Sequence, residues 1–302
     1  MRNLARIILI CAGAIWGIGF IGNKFLLDSG WTDLQLLFVR FMSAFVFVLL
    51  FYGKRILKAN KELRKQGLFL GIFMFSGFFF QTWGLELTSA SNNAIITAGY
   101  IIILPMIVYF KDKVKIKGYS IIAAILTFLG IVTISFNFET LSINLGDVLT
   151  FIGAMFWAIQ IYYLSHQTKK HDLFALMGYQ LLLFAICITT FMFIVDGLPQ
   201  IDLTSKAGQL ELSIGVLLGF FASFLAFMMQ SFGQKHTSPE EASILISTES
   251  VFGPIFAVMI YHETLSIHLV IGAILVFVGL IVSELHPSVS LKKKQKVGTT
   301  SV

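Results

Sequence analysis

Ten long apolar runs divide this chain, at approximately 4–27, 33–52, 67–86, 92–110, 117–136, 144–165, 173–195, 211–233, 240–261 and 267–285. Each holds roughly 19–24 residues, and about 20 residues of helix cross a bilayer's hydrocarbon core. The pattern predicts an all-α polytopic membrane protein with ten transmembrane helices. The polar frame of one stretch recurs 149 residues later without a gap. It pairs Gln81 with Gln230, Gly84 with Gly233, Thr88 with Thr237, Ser89 with Ser238 and Pro105 with Pro254. The same shift carries on through Phe128/Phe277 to Gly130/Gly279. The chain therefore reads as two five-helix repeats, over 1–137 and 144–286, followed by a basic tail over 287–302.

Composition supports lipid as the solvent. Of 302 residues, 57% are hydrophobic and 13% charged, and mean hydropathy is +0.85. A soluble domain needs far less apolar sequence. The net charge of +6 does not point to nucleic acid, because the basic residues cluster between apolar runs. Cys11 and Cys187 each lie inside a run, so neither a disulfide framework nor a metal site is expected. Arg2 and Arg6 followed by the apolar stretch 7–15 mimic a signal peptide. The further spans and the lack of a small-residue cleavage site make this stretch a first membrane helix. Ile10 before Cys11 argues against a lipoprotein site.

Charge also sets orientation. With the N-terminus inside, the chain ends and inner loops hold all of the 22 Lys and Arg except Lys24, Arg40 and Lys206. Only Lys206 falls in an outer loop; Lys24 and Arg40 lie within spans. This bias places both termini in the cytoplasm, and the expected location is the plasma membrane (bacterial cytoplasmic membrane). Five spans per repeat is odd, so the second repeat enters from the opposite side. Inverted repeats of this kind are common in secondary transporters, where two similar halves exchange outward-open and inward-open states.

Particular residues resemble a known family. Trp16-Gly17, Phe20 and Lys24 are similar to a first-helix signature, and Phe38-Val39-Arg40-Phe41 to a second-helix arginine motif. The segments 81–105 (QTWGLELTSASNNAIITAGYIIILP) and 230–263 (QSFGQKHTSPEEASILISTESVFGPIFAVMIYHE) resemble the third-to-fourth and late helices. Gly146-Asp147 with Trp157-Ala158 looks like the start of a second repeat. Together they resemble the EamA-type transporters of the drug/metabolite transporter superfamily, over nearly the whole chain. Ser250 departs from a usual proline, and Tyr261-His262 from a usual Leu-Gly. The resemblance implies ten helices around a central cavity lined chiefly by helices 1, 3, 4, 6, 8 and 9. It implies export or exchange of small metabolites, amino acids or related compounds foremost, with drugs or lipids as alternative cargo.

Candidate site residues follow from cost. A charge at the bilayer centre costs at least ~2.5–3.5 kcal/mol. Glu249, near the middle of its span, should therefore face the interior. It is either a proton-coupling or substrate-amine site, or a structural carboxyl near a helix break. Its repeat mate Tyr100 should face it across the pseudo-axis. Pro105 and Pro254 are matched interruptions and hinge candidates; simple packing kinks are the alternative. Arg40 can clamp a carboxylate, although a structural pair or a snorkel is the plainer reading. Lys24 should snorkel outward near Asp28 and Asp33. Gln81 and Gln230 sit at symmetry-related depths and either gate the cavity or bridge helices. Trp16 and Trp157 are candidate cavity walls, and Asn93 a further polar candidate. Gly13/Gly17 and Gly272/Gly279 mark close helix packing.

The expected partners are a small-molecule substrate, membrane lipid and, as a coupling ion, protons. The expected unit is a monomer or weak dimer. No cofactor is expected. An enzyme would need a nucleophile–base set or metal cluster, and the sequence has no HExxH and no GxSxG. A channel would want a selectivity ring from repeated subunits. No nucleotide-binding loop is present.

Overall fold

Polar residues at the ends of the apolar runs set where the helices begin. The computed structural model describes residues 1–116, 118–137, 142–197, 201, 203–264 and 266–284. Lys117 and the tail expected over 287–302 lie outside these. The helices are α1 (Arg2–Asp28), α2 (Asp33–Leu57), α3 (Lys61–Leu87), α4 (Ala90–Thr97), α5 (Tyr100–Asp112), α6 (Gly118–Ser135), α7 (Leu145–Gln167), α8 (Leu173–Val195), α9 (Lys206–Leu218), α10 (Ala226–His236), α11 (Pro239–Ile246), α12 (Glu249–Tyr261) and α13 (Ile267–Glu284). A π-helical segment, Gly219–Leu225, joins α9 to α10. Thr32, Asn60, Ser89, Asn144, Asp172, Ser205 and Ser238 cap α2, α3, α4, α7, α8, α9 and α11. Each side chain accepts an N–H that the first helical turn leaves unpaired.

Nine helical segments among the described residues are long and apolar enough to cross a membrane, and the tenth, Ile267–Val282, is apolar but shorter. The basic stretch between the second and third runs is mostly helix ends, since α2 runs to Leu57 and α3 starts at Lys61. The one departure from all-α among the described residues is a short antiparallel pair, β1 (Phe136–Asn137) with β2 (Ser142–Ile143).

The 149-residue shift is visible in the backbone. It maps the bounds of α4, α5 and α6 onto those of α11, α12 and α13. Thr88 and Thr237 share an extended conformation. Lys113 (φ 58°) and His262 (φ 55°) close α5 and α12 in the left-handed region. Packing repeats as well: α1 lies on α12 and α10, while α7 lies on α5, α4 and α3; α2 pairs with α8 and α6 with α13.

Glycine lets the backbones touch, as the small-residue spacing predicts. A Cβ on Gly13 would stand 2.7 Å from the Ile246 carbonyl oxygen, and one on Gly17 2.6 Å from Phe252 Cβ. Gly130 and Gly272 are reciprocal, each Cβ position falling 2.7 Å from the other's carbonyl oxygen.

The fourth and ninth runs are not continuous helices. Each is two half-helices, broken at Ala98–Gly99 and at Ser247–Thr248. Through the breaks the bonding tightens to three-residue spacing, with Ile101 N–H on Ala98 O, Ile102 on Gly99 and Ser250 on Ser247. The interruptions therefore precede Pro105 and Pro254, which lie inside α5 and α12. A proline denies the carbonyl four residues before it a partner. The prolines thus free carbonyls in the turn that follows each break.

Candidate functional site: a cavity lined by Arg40 and Glu249

The breaks bring Glu249 and Tyr100 to the first positions of α12 and α5. Both are buried, at 4% and 1% exposure. Tyr100 Oη donates to Glu249 Oε1 at 3.1 Å. The pairing expected of these repeat mates is present, and Glu249 stands at a helix start rather than within a continuous span.

Arg40 reaches the same cavity from α2, a helix beyond those the resemblance implies. Its Nε donates to Ser223 Oγ (2.8 Å), Nη1 to Asn23 Oδ1 (3.3 Å) and Nη2 to Ala222 O (3.2 Å). The guanidinium carbon lies 4.8 Å from the Phe78 ring centroid, a cation–π distance. Arg40 is 2% exposed, so it does not snorkel, and no carboxylate lies within ion-pair distance of it among the described residues. The π-helical segment supplies the Ala222 carbonyl, which also accepts Trp16 Nε1 at 2.7 Å. Widened turns of this kind release backbone groups from the regular ladder, frequently at functional sites.

Gln81 and Gln230 both line the cavity. Gln81 Nε2 donates to Thr97 Oγ1 at 2.8 Å. Gln230 Nε2 donates to Gln160 Oε1 at 3.3 Å, and its own Oε1 is buried without a partner among the described residues. Trp157 Nε1 is also buried and has no partner among the described residues. Trp157 packs edge-on against Phe78, with centroids 4.6 Å apart. Phe20, Ile161, Phe227 and Ile246 complete the apolar wall. The cavity volume is about 40 Å³. That is room for a few waters.

Other candidates lie elsewhere. Asn93 does not line the cavity; it bridges α3, α4 and α7 by donating to Gln81 O (3.0 Å) and Thr150 Oγ1 (2.7 Å). Pro105 and Pro254 are half-buried and do not line it either. Lys24 meets Asp28 at 3.3 Å at the end of α1. Sequence reasoning passed over Asn23 and Ser223, the partners of Arg40. Asn23 had a signal, as an amide next to Lys24 in an apolar run. Ser223 had none, because only the π-helical turn aims it.

Apolar helices of membrane-spanning length, seven of whose spans line an internal cavity with aromatic walls, define a multi-pass membrane protein. The chain belongs to the EamA-like transporter family, whose model matches residues 3–136 and again 144–285; the family lies within the drug/metabolite transporter superfamily. An uncharacterized transporter of Archaeoglobus fulgidus is 30% identical over 285 residues, covering 94% of this chain and 87% of that protein. The uncharacterized transporter YoaV of Bacillus subtilis is 22% identical over 282 residues, covering 90% and 94%. A solved crystal structure of another protein superposes with a TM-score of 0.69 at 15% identity, covering 94% of this chain and 98% of that one. That likeness is one of fold alone.

Proposed function

We propose that this transporter carries small molecules bearing both a carboxylate and an amine, amino acids or close relatives, by alternating access. The reading rests on one observation. The cavity's two formally charged side chains are Arg40 and Glu249, of opposite sign, and neither has an ionic partner among the described residues. A zwitterion supplies the missing charge to each. Bidentate donors suit its carboxylate, and the buried carboxylate of Glu249 suits its ammonium.

The protein lies in the plasma membrane, and the distribution of lysine and arginine supports an orientation with both termini in the cytoplasm. The element bounds recurring at a 149-residue shift, with five spans between, support halves of inverted topology. Transport then means exchanging the packing of α1 on α12 for that of α7 on α5. Net movement is export or exchange, Glu249 is the group through which protons couple, and the unit is a monomer or weak dimer.

Counterflow in proteoliposomes, with a labelled panel of amino acids and small metabolites, tests this. We expect saturable uptake of zwitterions, reduced at least tenfold in Arg40→Ala and in Glu249→Gln, on the scale of a lost charge-assisted bond. A silent panel from folded protein sinks the reading. So does transport by Glu249→Gln with wild-type rate and pH dependence.

One feature favours a second reading, an amphiphilic cargo. An apolar groove between α1, α9 and α12 shares Gly19 with the cavity. Uptake of apolar amines but not of amino acids would select it.

A further inference from the structure

The hydrogen bonds behind Gln230 set which end of its amide is bonded and which is left free. The chain begins at the Leu176 carbonyl, which can only accept. Gln180 turns its Nε2 toward it, 3.5 Å away, the outer limit of a hydrogen bond. That leaves Gln180 Oε1 to accept Gln160 Nε2 at 3.2 Å. Gln160 then offers Oε1, which accepts Gln230 Nε2 at 3.3 Å. An amide has one acceptor end and one donor end, so each step passes the polarity along. The relay ends with Gln230, a residue of the cavity wall, whose Oε1 is buried and has no donor among the described residues. All three glutamines are at most 2% exposed. Burying three amides is costly unless each is satisfied, and two of them, Gln160 and Gln180, do not line the cavity themselves.

We infer that Gln230 Oε1 accepts an N–H from the substrate's protonated amine, and that Gln160 and Gln180 are positioning residues holding it in that sense. This rests on the zwitterion reading above and deepens it. Glu249 attracts the ammonium by charge, which a quaternary ammonium satisfies equally. Gln230 requires an N–H, which a quaternary ammonium lacks. The site therefore selects amines that keep their N–H groups over fully methylated ones.

The test measures binding to the purified, full-length protein by the shift of its unfolding temperature. The probes are n-butylamine and n-butyltrimethylammonium, which carry the same charge and no carboxylate. We expect the wild type to prefer the primary amine roughly tenfold or more, the range of a hydrogen bond to a charged group. Gln230→Met keeps the side-chain volume and should bring the two affinities within about twofold. Gln180→Leu should erode the preference partly, because Gln160 and Gln230 are then free to turn together. A wild type that binds both probes equally, or neither, overturns the inference. So does a Gln230→Met variant that keeps the wild-type preference. The zwitterion reading fails separately, when the transport panel is silent although primary amines still bind selectively.

Discussion

Arg40 spreads three guanidinium nitrogens over three acceptors, Asn23 Oδ1 from α1 and Ser223 Oγ and Ala222 O from the π-helical segment. A lysine ammonium on a flexible stem cannot match that fork. Arg40→Lys should therefore lower counterflow at least tenfold and lower the unfolding temperature, because the acceptors stay buried. Wild-type values for both would remove Arg40 from the site. Tyr100→Phe takes away the hydrogen-bond donor of Glu249 and should cost about 1–3 kcal/mol in stability or substrate affinity. Thermal unfolding and counterflow affinity separate the two. At this scale the sequence was unevenly informative. The Tyr100–Glu249 contact was legible because a shared repeat position places both residues at one depth. The setting of Arg40 was not, since its partners depend on a π-helical turn that leaves no mark in composition.

The half-helix breaks were legible as a region and misplaced in detail. Proline is the loudest local signal, so the interruptions were expected at Pro105 and Pro254, yet the backbone breaks six to seven residues earlier. In the second repeat the signal was Ser247-Thr248-Glu249-Ser250. Ser247 Oγ donates to Ile244 O (2.6 Å), Thr248 Oγ1 to Leu245 O (2.8 Å) and Ser250 Oγ to Ser247 O (2.7 Å), taking up carbonyls at the break. The first repeat has Ala98-Gly99-Tyr100-Ile101 instead, with no side-chain hydroxyl at the break and Gly99 in the right-handed region. The prolines then keep the following turn short of backbone bonds. Pro105→Ala with Pro254→Ala should stiffen both turns and slow turnover; unchanged turnover at unchanged stability would exclude them as hinges. His262 offers a separate check. It sits at φ 55°, where the family resemblance leads one to expect glycine, and the left-handed region costs a residue with Cβ about 1 kcal/mol. His262→Gly should raise the unfolding temperature by the equivalent of about 0.5–1 kcal/mol. A fall would mean that the imidazole contributes more than the backbone strain costs.

Across the whole molecule, the two ends of the bundle are tied by the same chemistry with its roles exchanged. At one end Asp28 of α1 accepts from Tyr261 of α12 and pairs with Lys24. At the other, Asp112 of α5 accepts from Tyr162 of α7 at 2.7 Å, with His166 Nε2 3.6 Å away. Asp112 and Tyr261 occupy the same position in their repeats, 149 residues apart. The acid is thus on the broken helix at one face and on the first helix of its repeat at the other. In the proposed topology the first tie is outer and the second inner, so loosening one should bias the carrier toward opening on that side. A hydrogen bond is worth about 1 kcal/mol net, roughly a fivefold change in population. Ile161→Cys in the cavity wall, with Cys11 and Cys187 changed to serine, reports opening to an impermeant maleimide. Asp28→Asn with Tyr261→Phe should speed labelling from outside several-fold and slow it from inside. Asp112→Asn with Tyr162→Phe should do the reverse. Equal labelling of both variants from both sides would show that the ties hold helix ends together without controlling access, and would move the search for the gates to the breaks beside Tyr100 and Glu249.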